Sequence, residues 1–372
     1  MEPTGRVICS RCNKEYSVAK YATVIRCTEC KTTIPIGGQS SRAQGQYCNS
    51  SRSSVPQSYL YFKDKFKNKH SSCPADPTDF SLDTKPSRAG SAETHPRKRA
   101  LLCGVTYENK KYRLKGTIND VNSMKEMLIN QFHYPPDCIR VLTEDQKAGC
   151  IPPTKKNIQV ALKWLVEGSG PGDSLVFFFS GHGLRQPDFA EDELDGFDET
   201  ICPVDFMQEG MILDNEINST IVRPLKKGVT LHAIVDACHS GTILDLEYVY
   251  NRQSKVWDDN RPPSNAEKST SGGLAICLSA CGDNQLAADT SVFTGKTMAG
   301  ALTYILFDTV KNNAGITYGD LLDKMHDVIE RTNNNRCLSS KLLQKIFRHR
   351  RIQDPLLSAS EEFDVQSKKF GL

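Results

Sequence analysis

The sequence predicts an α/β chain in which a mostly parallel sheet is covered by helices on both faces, preceded by a small cysteine-bearing unit. Three observations carry that expectation. Ser174 to Phe179 (SLVFFF) is apolar on both faces a strand presents, as a central parallel strand must be. From Arg97 onward, short apolar runs alternate with stretches of helical period. Two Gly-flanked polar motifs follow directly on two of those runs, where open α/β sheets gather their active sites.

Taken in order, residues 1–36 hold Cys9-x-x-Cys12 and Cys27-x-x-Cys30. Residues 37–96 are rich in Ser, Gln, Pro, Lys and Gly, with too little apolar surface to fold alone, and read as a linker. Arg97-Lys98-Arg99 opens the compact region. Ala100 to Thr106 predicts a buried strand, Ile118 to Phe132 a helix, Ile139 to Leu142 a short strand and Lys155 to Glu167 a helix. Thr230 to Val235 predicts another strand. Residues 251–272 return to loop composition and divide the compact region into a larger part (97–250) and a smaller one (273–372). Leu274 to Leu278 predicts a strand, with helices near Met298 to Val310 and Tyr318 to Arg331. No internal repeat is read.

The 372 residues, 38% hydrophobic and 24% charged, suit a globular chain of more than one domain. A net charge of +3 is too mild to argue for nucleic acid or an anionic membrane. The first residues lack a basic region followed by an apolar run, and no apolar stretch approaches a membrane span. A cytoplasmic place, with a nuclear one alongside, is therefore expected. In that setting fourteen cysteines argue for thiols, metal ligands or catalysis rather than a disulfide framework.

Each Cys-x-x-Cys pair can set two thiolates on one turn, and two such turns close a tetrahedral zinc site. A short unit with few apolar residues has little else to fold around. With Cys9, Cys12, Cys27 and Cys30 filling all four positions, that zinc is structural. The bland alternative is four incidental reduced cysteines.

The chemistry lies in Phe179-Ser180-Gly181-His182-Gly183 and Val235-Asp236-Ala237-Cys238-His239-Ser240-Gly241. A thiol beside an imidazole is an activated nucleophile. Flanking glycines expose a side chain at a sharp turn and let a substrate backbone come close. Cys238 is thus the candidate nucleophile and His182 its base. Singly, a cysteine after a strand is more often buried packing and a histidine in Gly-rich surroundings a solvated loop residue. His239 competes as base but follows Cys238 immediately and should point elsewhere.

These two motifs resemble the signature pair of metacaspases. The zinc unit, with Val24-Ile25-Arg26 before its second pair, resembles the lesion-simulating-disease type finger of the plant type I members. Asn13 to Ala22 departs from that finger's usual core. The resemblance implies a caspase-hemoglobinase fold and a cysteine endopeptidase acting in stress or programmed cell death. In it Cys238 attacks the scissile carbonyl, His182 shuttles the proton, and the backbone amides of Gly183 and Cys238 form the oxyanion hole.

By the same match, Asp120, Asp236 and Ser180 line the first specificity pocket and select Arg or Lys, so the partners are protein substrates with exposed basic residues. Thr117 stands where many metacaspases carry a second cysteine. Asp198, Asp214 and Asp245 match calcium-binding positions, and Asn215 sits where an aspartate is usual, which should weaken an activating calcium site. Read without the resemblance, residues 188–216 are a solvated acidic loop. Arg252, Lys255, Arg261 and Lys268 are candidate self-processing points.

Two signals carry nothing. Gly295-Lys296-Thr297 lacks the earlier glycine of a phosphate loop, and the basic run Lys345 to Arg351 reads as a solvated face. The competing functional expectation is a zinc-finger adaptor whose caspase-like domain binds partners; a DNA-binding finger is weaker still, for want of charge. A monomer is expected.

Overall fold

The computed structural model describes residues 5–8, 14–18, 24–26 and 33–35, and then 97–145, 150–190, 192–262, 264–280, 289–290, 299–334 and 355–372. Two compact units divide the chain, Met1–Ser54 and Val55–Leu372.

In the first unit, β1 (Gly5–Ile8) pairs antiparallel with β2 (Glu15–Val18), and β3 (Val24–Arg26) with β4 (Thr33–Pro35). Each Cys-x-x-Cys pair falls, in sequence, between the two strands of one hairpin. The four cysteines themselves lie outside the described residues, as do the linker and the basic run 345–351.

The second unit is built on one eight-stranded sheet. Its strands are β5 (Lys98–Gly104), β6 (Ile139–Thr143), β7 (Ser174–Ser180), β11 (Thr230–Asp236), β12 (Tyr248–Asn251), β13 (Val256–Asp259), β14 (Leu274–Ser279) and β17 (Leu356–Ala359), in the order β13-β12-β17-β14-β11-β7-β5-β6. Between β7 and β11 the chain forms a separate antiparallel sheet of β8 (Gly183–Pro187), β9 (Phe197–Ile201) and β10 (Ile212–Leu213). A two-residue pair, β15 (Asp289–Thr290) with β16 (Ala299–Gly300), precedes the last helices.

The five strands from β6 to β14 are parallel to their neighbours, as the apolar runs predict. The other pairings, β14–β17, β17–β12 and β12–β13, are antiparallel. The sheet is therefore mixed, and "mostly parallel" holds for one side of it alone. The departure has a physical source: β12 ends where the stretch whose polarity reads as loop begins, and β13 lies inside that stretch as the second strand of their hairpin. Its exposed edge needs only alternate anchors, supplied by Tyr250 against Trp257 (ring centroids 5.3 Å) and by Trp257 Nε1 donating to the Phe363 carbonyl (2.9 Å).

Alternation along each central strand feeds two cores. Ala100, Leu102, Val176 and Phe178 face one layer, which holds helices α1 (Thr117–Asn130), α3 (Ala301–Asn312) and α4 (Tyr318–Asn334). Leu101, Cys103, Leu175, Phe177 and Phe179 face the other, with α2 (Lys155–Val166). Phe177, Phe178 and Phe179 are all fully buried, each worth roughly 1.5–3 kcal/mol of hydrophobic stabilisation. This is why SLVFFF lacks alternation. Among the described residues, no helix is long and apolar enough to cross a membrane.

Candidate active site

The site follows from the register of two parallel strands. Ser180 ends β7 and Asp236 ends β11, and these two residues are paired partners. The ladder runs one step further, with Gly181 N–H donating to the Asp236 carbonyl (3.3 Å). His182 and Cys238 each lie two residues beyond a partner of that pair, so they leave adjacent strand tips at equivalent positions. Both are half-buried.

The turns come into direct contact. A Cβ added to Gly183 would fall 2.0 Å from the Cys238 carbonyl oxygen, so only glycine fits there. Gly183 pairs with Ile201 of β9, and Cys202 N–H donates to the His182 carbonyl (3.0 Å). That pattern makes Gly183–Ile201 a non-hydrogen-bonded pair, which turns the Gly183 N–H away from β9.

Two neighbours, Tyr112 and Tyr107, hold His182. His182 Nε2 lies 2.7 Å from the Tyr112 carbonyl. A carbonyl only accepts, so Nε2 carries the hydrogen and Nδ1 is the basic nitrogen of the neutral ring. The Tyr107 ring lies 4.7 Å from the imidazole at 30°. Its hydroxyl accepts from the His182 backbone N–H (2.9 Å) and donates to the Cys202 carbonyl (2.6 Å). Tyr107 is fully buried, and burial pushes its phenol far above the ordinary range, so it stays a neutral donor. Cys202 is a second thiol near Cys238; burial first, then Cys238 itself, keeps it protonated. His239, the competing base, has a left-handed backbone (φ 51°).

Asp120, Ser180 and Asp236 do come together, all buried. Ser180 Oγ donates to Asp120 Oδ2 (2.8 Å). Both carboxylates then meet the N-terminus of α3. Gly300 N–H reaches both oxygens of Asp120 (3.0 and 3.1 Å), while the Thr303 N–H and hydroxyl reach Asp236 Oδ2 (2.9 and 2.8 Å). Helix-end donors are thus the counterweight that keeps two buried carboxylates in one place. Asp120 is more than the helix-start carboxylate its position in α1 suggests. Thr117 is buried, its hydroxyl 3.0 Å from that of Thr106.

Asp198, Asp214, Asn215 and Asp245 also converge, with Asp198 on β9 and Asp214 directly after β10. Oxygens of Glu193, Asp198 and Asp214 lie within 4.8 Å of one another, as do those of Asp188, Asp192 and Asp198. Asp198 Oδ1 and Asp245 Oδ1 are buried without a hydrogen-bond partner. Burial, with neighbouring carboxylates adding to it, raises Asp214 and Asp245, pushes Asp198 up to about 6 and Glu193 up to about 10. Orphaned, crowded oxygens of this kind are the donor set a hard cation takes.

The family described as "Metacaspase, peptidase C14 domain" matches residues 98–247, the span that carries every one of these groups except Gly300 and Thr303. "Metacaspase-1" of Arabidopsis thaliana is 46% identical over 291 residues, covering 75% of this chain and 79% of that one. This chain belongs to the metacaspase family. "Metacaspase-2" of the same plant is 43% identical, covering 75% and 73%. The solved caspase-1 of Spodoptera frugiperda is similar at TM-score 0.38 and 11% identity, covering 77% of this chain and 97% of that one. Family membership, not that score, assigns the caspase-like fold and makes the chain a cysteine-type peptidase.

Several residues around the metacaspase site escape sequence reasoning. Tyr107, Tyr112, Gly300 and Thr303 carry no motif of their own, and Gly300 is 180 positions from Asp120. Lys268, expected as a processing point, is instead 6% exposed with its ammonium in the acidic cluster. The other candidates are accessible. Lys255 is exposed on the β12–β13 turn, Arg261 is exposed beside Asp259, and Arg252 pairs with Asp323 (2.7 Å).

Proposed function

We propose that Cys238 and His182 form the catalytic dyad of an endopeptidase that cuts after Arg or Lys. The register of Ser180 with Asp236 is the observation that carries this reading, because it sets His182 and Cys238 at equivalent positions just beyond adjacent strand tips. His182 Nδ1 takes the thiol proton, and the Cys238 sulfur bonds to the scissile carbonyl carbon. The resulting oxyanion is met by the N–H groups of Gly183 and Cys238. Collapse breaks the C–N bond as the imidazolium returns its proton to the leaving amine. Water, deprotonated by the same imidazole, then hydrolyses the thioester.

Asp120 and Asp236 supply two buried carboxylates at the pocket floor, with Ser180 bonded between strand and helix. Such a pocket favours a cation, and Arg above Lys through its planar fork. Substrates are proteins presenting exposed basic residues, in stress or cell-death signalling. Calcium is held by Asp198, Asp214, Asn215 and Asp245; when bound it neutralises the crowded carboxylates there. Zinc held by Cys9, Cys12, Cys27 and Cys30 organises the two N-terminal hairpins. The adaptor alternative has no observation in its favour.

The test is hydrolysis of Arg-, Lys- and Asp-ended peptides by the full chain and by Cys238→Ala, with and without calcium. Cleavage after Arg and Lys that vanishes in the variant supports the reading. Equal rates in the two proteins would remove the dyad, and a preference for Asp-ended peptides would remove the pocket.

A further inference from the structure

The acidic cluster already contains a cation, and it is the chain's own. Lys268 is 6% exposed. Its Nζ lies 2.7 Å from Asp192 Oδ2, 2.5 Å from Asp245 Oδ2 and 3.7 Å from Glu193 Oε1, and it donates to Asn215 Oδ1. The backbone seats the same residue, since Asn218 Nδ2 donates to the Lys268 carbonyl (3.1 Å). Although burial works against the charge, Asp245 and Asp192 hold the ammonium protonated, and Lys268 in turn keeps Asp192 below the ordinary carboxylate range.

One ammonium reaches only three of the cluster's carboxyls. Asp188, Asp198 and Asp214 crowd against those carboxyls, and Arg185 pairs with Asp195 and Glu199. Asp198 Oδ1 and Asp245 Oδ1 stay buried and unpartnered, with Asp198 within 4.8 Å of Glu193 and Asp214 oxygens. Two of the four groups that hold Lys268, Asp245 and Asn215, also belong to the calcium set proposed above. An ammonium and a divalent ion cannot share those oxygens, because like charges at contact distance repel strongly in a buried site.

We infer that this cluster is an exchange site, in which calcium enters by displacing the Lys268 ammonium from Asp245 and Asn215 and so releases the Lys268 side chain to solvent. The inference rests on the calcium reading. Asn215 suits exchange: its amide oxygen accepts from the ammonium and can turn to a hard cation, without the full charge that would hold either one permanently. Lys268 becomes reachable as a cleavage point only after the ion has entered.

The experiment uses the full chain carrying Cys238→Ala, so that no self-cleavage intervenes, with calcium itself as probe. Calorimetry compares that parent with a second chain that also carries Lys268→Gln. Removing the internal competitor should tighten calcium about tenfold, since a site closed for most of the time binds weaker by that fraction. In the parent, calcium should also make the bond after Lys268 sensitive to trypsin, with the cut after exposed Lys255 as calcium-independent control. Equal affinities, or Lys268 still protected at saturating calcium, would overturn the exchange and leave the calcium reading standing. No binding by either chain would overturn both. Should Lys268→Gln fail to fold, trypsin mapping of the parent decides alone.

Discussion

The Cα of Gly183 is pressed against the carbonyl of Cys238 so closely that an added Cβ would stand 2.0 Å from its oxygen. Neighbouring turns of β7 and β11 are thereby locked together at the point where the oxyanion is expected to form. The contact is backbone to backbone, so no side-chain adjustment can relieve an intruding methyl.

Gly183→Ala should therefore push the two turns apart and displace both oxyanion donors. Loss of such a donor costs about 10²–10³ in kcat. We expect a fall of that order on an Arg-ended peptide, with the far-ultraviolet dichroism of the folded chain retained. Near-normal kcat in the folded variant would separate Gly183 from the reaction.

Tyr107→Phe probes what holds the imidazole. The lost hydroxyl accepts from His182 N–H and donates to the Cys202 carbonyl. Leaving buried polar partners unmatched costs about 1–3 kcal/mol, measurable by denaturant unfolding. Because Tyr107 acts on His182 rather than on substrate, kcat should fall while KM stays within about twofold, and the acid limb of the pH–rate profile should move. A stability loss with an unchanged profile would reduce Tyr107 to a packing residue.

The central strands were legible because a strand buried on both faces has no polar alternation to blur it. Ser174–Ser180 and Thr230–Asp236 match their apolar runs to within a residue at the end, and that end is where the chemistry sits. The β12–β13 hairpin was hidden by its own exposure, since an edge needs few apolar residues. Likewise the two N-terminal hairpins, each spanning one Cys-x-x-Cys, are too short to register as a repeat. In the site, motif residues could be read singly, whereas Lys268 could not. A basic residue in polar surroundings looks solvated until the fold brings Asp192 and Asp245 around it.

His232 gives a pH dependence remote from the site. It is buried on β11 with Nε2 2.5 Å from the Tyr318 hydroxyl; burial, then the nearby Lys368 charge, pushes its pKa down to about 3. Unfolded, the ring takes a proton near the ordinary value of about 6.5. A depressed folded pKa means stability is fully present above about 6.5 and is lost as pH falls toward 3. Thermal unfolding should show the midpoint declining across that window, and His232→Gln should flatten the decline. An equal slope in the variant would place the acid sensitivity elsewhere.

The most direct measurement is to trap the reaction. A peptidyl-arginine chloromethyl ketone alkylates an active thiol that has first bound the arginine side chain, and peptide mapping locates the adduct. The account predicts one adduct, on Cys238, slowed at least about a hundredfold by His182→Ala and by Asp236→Asn. Labelling at Cys202 instead, or labelling of Cys238 indifferent to both substitutions, would contradict it.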